Sequence, residues 1–338
     1  MRRVLALALT ALLAGCSAEA PARTDPSAHR GERHSALPAE GNDRVELAFG
    51  DARTGYALFL GRKGTEKSVL YTTTDGGTTW RRLPFDAPLG PHATMWAQGA
   101  RGLTVLARNG YRTSDDGGAT FRDGDPPADD RPQWSCCLAA DAGRDAGERR
   151  YGVFRGEEPV GRQPPLSADN GAVAVDGRGR TVVAGADSTT VVSAVQENGA
   201  WRTLPELTVE DRPAAVWLRT DPDSGEVLMA LGRDGGVTVH ALRGDAWRPV
   251  GEKDPGYRVG HVAAAGKGVL ALAGEGTPGY LLADGTWRAA PGPEHVALID
   301  RLADGTLVAT SESVPNAVWL APGTGAERSW VEISVSPA

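Results

Sequence analysis

Apolar residues along this chain come in short runs, each closed off by Gly, Pro, Asn or Asp, and the runs fall into groups of four. The groups are 45–49, 56–60, 69–72 and 80–83, then 94–98, 104–107, 110–113 and an aromatic at 121. A third, irregular group has 134–139 and 151–155 and then a Pro-rich stretch to Pro165 with no closing aromatic. Four regular groups follow: 172–175, 181–184, 190–195 and 201–204; 216–220, 227–231, 237–242 and 247–250; 262–265, 269–273, 279–282 and 287–289; 296–302, 307–310, 317–320 and 330–333. Runs this short, bounded by turn residues, predict β-strands. No helical period of useful length lies between them. The expectation is an all-β chain of seven units, each of four short antiparallel strands.

An aromatic–arginine pair marks the last run of most units: Trp80-Arg81, Phe121-Arg122, Trp201-Arg202, Trp247-Arg248 and Trp287-Arg288, with Trp330-Val331 closing the series. Nine Trp and 32 Arg give roughly one Trp-Arg pair by chance, and four occur. The steps between aromatics are 41, 80, 46, 40 and 43 residues, the 80 spanning the unit that lacks its aromatic. A period near 40–46 is that of β-propeller blades, so the pattern predicts a seven-bladed β-propeller over residues 43–336.

Turn residues precede the aromatics in a fixed order. Thr73-x-Asp75-x-Gly77-x-Thr79-Trp80 and Ser114-x-Asp116-x-Gly118-x-Thr120-Phe121 resemble the Asp-box, or BNR repeat, of sialidase-like propellers, and worn copies stand before Trp201, Trp247 and Trp287. Asp is suited to accept backbone N–H bonds inside the turn, and Gly supplies positive φ. The following aromatic begins the outer strand and buries a large ring. These are folding residues and specify no activity.

The start of the chain carries a different signal. Arg2 and Arg3 precede an apolar run from Val4 to Leu13, which is too short for a permanent membrane span, and the run ends in Leu13-Ala14-Gly15-Cys16. This resembles a bacterial lipobox, which implies a signal peptide over 1–15, acylation of Cys16 and residence on the outer face of the cytoplasmic membrane. Residues 16–42 lack periodicity and read as a disordered tether. The formal charge of −7 becomes −9 once Arg2 and Arg3 are removed, which argues against nucleic acid and leaves the lipid as the membrane contact. Four Lys against 32 Arg, with abundant Ala and Gly, look like a high-GC, actinobacterial genome. A monomer is expected.

Candidate chemistry is sparse. Adjacent Cys136 and Cys137 read either as free thiols or as a strained vicinal disulfide, because consecutive side chains of a strand point to opposite faces. The residues leading into the first strand of each unit would crowd one mouth of the propeller channel: Arg44, His92, Gln133, Trp134, Asn170, Arg212, His261, Glu294 and His295. They read either as polar residues capping a hydrated channel or as a ligand site, with His92, Trp134, Arg212, His261 and His295 as candidates. Arginine and tryptophan suit an acidic sugar or a peptide carboxylate. No metal is expected from His92, His261 and His295, and no cofactor motif occurs.

The resemblance to sialidases stops at the fold. It would imply an Arg-Ile-Pro motif before the first box, three arginines for the substrate carboxylate, a Tyr nucleophile with its Glu, and an Asp acid. No Arg-Ile-Pro exists, and Arg82-Leu83-Pro84 follows the first box. Tyr257-Arg258, with Glu252 and Glu275 nearby in sequence, is the sole trace of the rest. A second BNR-type resemblance, to photosystem II assembly factors, implies a lipid-anchored propeller that binds protein without catalysis. The expected function is therefore a non-enzymatic binding module for an envelope protein or glycan; the alternative is a sialidase-like glycoside hydrolase.

Overall fold

The structure is a computed structural model. It describes residues 31–338 other than 40–41, 62–67, 86, 88, 90–92, 109, 125–130, 137–150, 157, 169, 254–257, 275–277, 291–295 and 312. Every regular element among the described residues is a β-strand. The chain opens with β1 (Gly31–Leu37). Sheet one follows as β2 (Asn42–Phe49), β3 (Gly55–Gly61), β4 (Val69–Thr73) and β5 (Arg81–Arg82). Sheet two has β6 (Met95–Gln98), β7 (Gly102–Ala107), β8 (Gly110–Ser114) and β9 (Arg122–Gly124). Sheet three has β10 (Gln133–Cys136), β11 (Tyr151–Arg155) and β12 (Glu158–Pro159).

Sheet four comprises β13 (Asn170–Val175), β14 (Thr181–Asp187), β15 (Thr190–Glu197), β16 (Ala200–Thr203) and the short β17 (Leu207–Thr208). Sheet five comprises β18 (Ala215–Thr220), β19 (Val227–Arg233), β20 (Gly236–Arg243) and β21 (Ala246–Lys253). Sheet six comprises β22 (Val259–Gly266), β23 (Val269–Gly274), β24 (Gly279–Leu281) and β25 (Trp287–Ala289). Sheet seven comprises β26 (Val296–Arg301), β27 (Leu307–Ser311), β28 (Ala317–Ala321) and β29 (Val331–Pro337).

Each sheet is an antiparallel meander in chain order, and buried clusters join sheet one to sheet two and sheets three through seven in turn. Tyr56, Leu58 and Leu70 of sheet one pack with Met95, Leu103 and Val105 of sheet two. Val153 packs with Val183 and Ala194 between sheets three and four. Met229 and Leu231 meet Val182 and Val195, while Leu228 and Ala230, on the other face of the same strand, meet Val262 and Leu270. A middle strand buried on both faces explains a continuous apolar run such as Val227–Leu231, where a one-sided sheet would alternate. Sheet seven meets sheet six through Trp319 and Trp330, and it meets sheet one through Val318, Leu320 and Ile333 against Phe49. The last sheet thus returns to the first, as in a β-propeller.

One expectation is corrected. Residues 31–37, placed in a disordered tether, form β1, which runs parallel to β29 from Gly31↔Val331 to Leu37↔Pro337. It makes sheet seven five-stranded. Its sequence, GERHSAL, shows no apolar alternation because its pairing is through backbone. Sheet three has three described strands, and residues 137–150, 157 and 169 beside them lie outside the described residues. There the Gln163 side chain bonds the middle strand β11 alongside β12: its oxygen accepts from Val153 N (2.7 Å) and its amide donates to Val153 O (2.9 Å). Pro159, Pro164 and Pro165 lack the N–H groups a ladder needs.

Trp80, Phe121, Trp201, Trp247, Trp287 and Trp330 all stand at the start of the last antiparallel strand of their meanders, β5, β9, β16, β21, β25 and β29. Trp330 and Trp247 are buried, whereas the other four are half-buried.

Candidate functional site

The turn residues singled out in the sequence form closed hydrogen-bond sets between the third and fourth strands of sheets one and two. In the first, Asp75 Oδ1 accepts from Thr78 N (3.0 Å), Thr79 N (2.9 Å) and Thr73 Oγ1 (2.8 Å), and Asp75 Oδ2 accepts from Thr79 Oγ1 (2.6 Å). Thr73 Oγ1 in turn accepts from Gly77 N at 2.9 Å. Gly77 has φ +86°, and a Cβ there would lie 2.6 Å from Ile333 Cγ2. The second turn repeats the set with Ser114 Oγ, Asp116, Gly118 N and Thr120. The hydroxyl of Thr79 and then its N–H hold the Asp75 carboxyl down at about 2, and Thr120 does the same for Asp116. These carboxylates are fully engaged in folding.

Functional side chains are better sought where the sheets converge. The first strands of successive sheets touch one another, β2 with β6, β10 with β13, and β13 through β18 and β22 to β26, so they line the ring's interior. The three exposed large apolar side chains among the described residues all lie on them: Trp96 (43% exposed) on β6, Val175 (37%) on β13 and Leu298 (43%) on β26. Trp96 also stands 6.2 Å, centroid to centroid, from the Tyr111 ring.

The same set of strands carries a charged cluster. Arg219 of β18 is half-buried. Its Nε donates to Val262 O of β22 (2.7 Å) and its Nη1 to Leu218 O (2.9 Å). No ion pair to Arg219 occurs among the described residues. Burial lowers its pKa, Asp300 of β26 opposes that, and Arg131, just ahead of β10, reinforces it. His261 of β22 belongs to the same field: burial, then Arg219, lowers its pKa and Asp300 raises it. Four sheets thus contribute charge to one interior region, where a guanidinium anchored by carbonyls keeps N–H groups for an anion.

Of the five candidates read from the sequence, His261 belongs to this cluster. Trp134, on β10, is turned into the packing between sheets three and four, where its indole lies against Gly171 and joins Val153 and Val183. Its Nε1 has no partner among the described residues. Arg212 is exposed in the loop before β18, beside Asp211, Arg233 and Asp234. His92, His295 and the lipidation candidate Cys16 lie outside the described residues. Asn170 bridges two innermost strands, accepting from Val216 N (3.2 Å) and donating to Pro213 O (3.4 Å).

Sequence reasoning missed Arg219, Asp300 and Arg131. A signal existed for the first two: each is a charged residue inside an apolar first-strand run. Among the described residues no group of three His, Cys, Asp or Glu side chains could hold a metal ion.

No known family matches this chain, and no curated protein is a detectable relative. Solved structures do show likeness. YCF48 from Cyanidioschyzon merolae is similar over 89% of this chain and 98% of its own, at 13% identity and a TM-score of 0.43. A Mycobacterium tuberculosis puromycin-hydrolyzing peptidase is similar over 90% of this chain and 57% of its own, at 16% identity and a TM-score of 0.47. Aleuria aurantia lectin, in complex with Fucα1-6GlcNAc, is similar over 88% of this chain and 96% of its own, at 11% identity and a TM-score of 0.34.

Proposed function

We propose that this protein is a seven-bladed propeller built on Asp-box turns, lipid-anchored through Cys16 on the outer face of the cytoplasmic membrane. It binds an envelope protein or glycan through the ring interior and catalyses no reaction. Seven described sheets and contact of the last with the first support the blade count. The observation that carries the binding reading is Arg219, held by two backbone carbonyls beside His261 and Asp300, with Trp96, Val175 and Leu298 exposed on the same set of strands. A planar fork set among apolar surface suits a carboxylate on an acidic sugar or a peptide.

The glycosidase alternative requires a Tyr–Glu pair and an Asp acid meeting three arginines. The described innermost strands carry no tyrosine, and Tyr257 lies outside the described residues. The decisive experiment pairs capture with turnover. Purified protein should retain an envelope partner that Arg219→Gln loses, with both proteins melting at the same temperature. Equal capture by both, or hydrolysis of a fluorogenic sialoside, refutes the reading. Processed Cys16→Ser should leave the membrane fraction, and its retention there would contradict the anchor.

A further inference from the structure

Arg219 on β18 and Asp300 on β26 bring opposite charges into one region of the innermost strands without meeting. The strand β22 packs against both β18 and β26. No ion pair or hydrogen bond joins the two side chains among the described residues. We propose that the gap between them holds a zwitterionic α-amino acid group, its carboxylate on Arg219 and its ammonium on Asp300. The inference rests on the anion-binding reading of Arg219 and narrows the ligand to one class.

Each charge is tied to backbone on its own side of the gap. Arg219 Nε donates to Val262 O (2.7 Å) and Nη1 to Leu218 O (2.9 Å), while Asp300 Oδ1 accepts from Arg301 N (2.7 Å). Arg219 Nη2 and Asp300 Oδ2 have no partner among the described residues, and Asp300 is exposed. A guanidinium and a carboxylate that face each other usually close into a short, bidentate pair. These two stay apart, so each keeps a hydrogen-bonding site for an outside charge.

Three mutual interactions place the groups in one locality. Burial lowers the Arg219 pKa and Asp300 opposes it. Burial and then Arg219 lower the His261 pKa, and Asp300 again opposes. His261, on the strand packed against both others, therefore senses each charge.

A lone carboxylate would satisfy Arg219 and be repelled by Asp300, and a lone amine would meet the converse. A group with both charges on one carbon satisfies both. Leu298 lies two residues before Asp300, hence on the same side of β26, and is 43% exposed, which offers apolar surface to a short aliphatic stem. The group could arrive on a free amino acid or on the unlinked end of a diamino acid in an envelope peptide.

The test titrates the full-length protein with alanine, lactate, propionate and ethylamine and follows the His261 imidazole by NMR, assigned with His261→Gln. Alanine should shift the resonance saturably at millimolar concentration. The other three should bind at least about tenfold more weakly, a difference of about 1.4 kcal/mol. Asp300→Asn should weaken alanine by a similar factor and strengthen propionate, whose carboxylate no longer meets a like charge. Arg219→Gln should lose both ligands. Because Asp300 is exposed, its variant reads binding even where Arg219→Gln melts lower. Nα-acetyl-diaminopimelate α-methylamide keeps both charges on its distal carbon; its binding assigns the site to peptides, and its failure beside alanine assigns it to free amino acids. Lactate or propionate binding as tightly as alanine, Asp300→Asn with wild-type affinity for alanine, or no His261 shift with alanine overturns the zwitterion. In any of those cases, loss of the envelope partner by Arg219→Gln leaves the anion reading standing, and equal capture by that variant removes both.

Discussion

At Asp75 and Asp116 a single carboxylate organises a whole turn, and its ionisation is the lever on local stability. Each is held at about 2, against an ordinary 3.8, by hydrogen bonds that need the charged form. Their contribution is therefore complete above pH 3.8 and is lost as pH falls through about 2. NMR titration of the Asp75 carboxyl should give that low midpoint, and Asp75→Asn should flatten the acid limb of unfolding. A midpoint near 4 would show that the hydroxyl of Thr79 does not hold the anion. The histidines act in the same direction, in a higher pH window. Burial disfavours the charged forms of His240 and His261, so both sites lose stability as pH falls through the ordinary 6.5. Charge gained at His261 would still strengthen an anion held by Arg219, so affinity should rise on acidification with its midpoint below pH 6.5. An affinity independent of pH between 7 and 5 would remove His261 from the site.

At the level of elements, the aromatic that opens each fourth strand has the same role in six sheets and very different burial. Trp330 is 1% exposed, within the cluster that joins sheets six and seven, whereas Trp201 is half-buried and donates to Arg162 O at 2.5 Å. Trp330→Ala should cost about 3–5 kcal/mol and Trp201→Ala clearly less. Equal losses in denaturant melts would mean that burial does not set the cost. The strands were legible because turn residues and apolar runs repeat with a constant period, and the aromatic fixed the phase. The innermost strands were legible as strands but not as a site: which side chain of a run such as Ala215–Thr220 reaches the interior depends on neighbouring sheets that the run does not encode. Hence His261 was found at a strand start, while Arg219 and Asp300, deeper in theirs, were passed over. β1 escaped for the opposite reason, since a strand bonded along its backbone to an existing edge needs no apolar period.

For the whole molecule, the problem is to hold the last sheet to its neighbours on both sides. Toward sheet six the work falls to Arg328, 5% exposed, which donates to Gly325 O, Gly305 O, Ala321 O and Ala265 O at 2.6–3.0 Å. Ala265 belongs to sheet six, so one guanidinium ties two sheets. Toward sheet one, β1 covers the outer edge of β29 and reaches across the seam. Arg33 Nη1 donates to Gly76 O at 2.6 Å, inside the first Asp75 turn, and Leu37 with Val335 packs beneath Phe59 and Tyr71. The Tyr71 hydroxyl donates to Pro38 O at 2.5 Å. A chain beginning at Gly31 should therefore melt like the full-length protein. One beginning at Pro38 loses the Leu37 burial and the paired edge, about 2–3 kcal/mol. It also exposes β29 as a free strand edge, which favours pairing between molecules. Urea melts and sedimentation of the two truncations decide the matter. Matching midpoints, with the shorter chain still monomeric, would mean that the seam is held by the Phe49 and Ile333 packing alone.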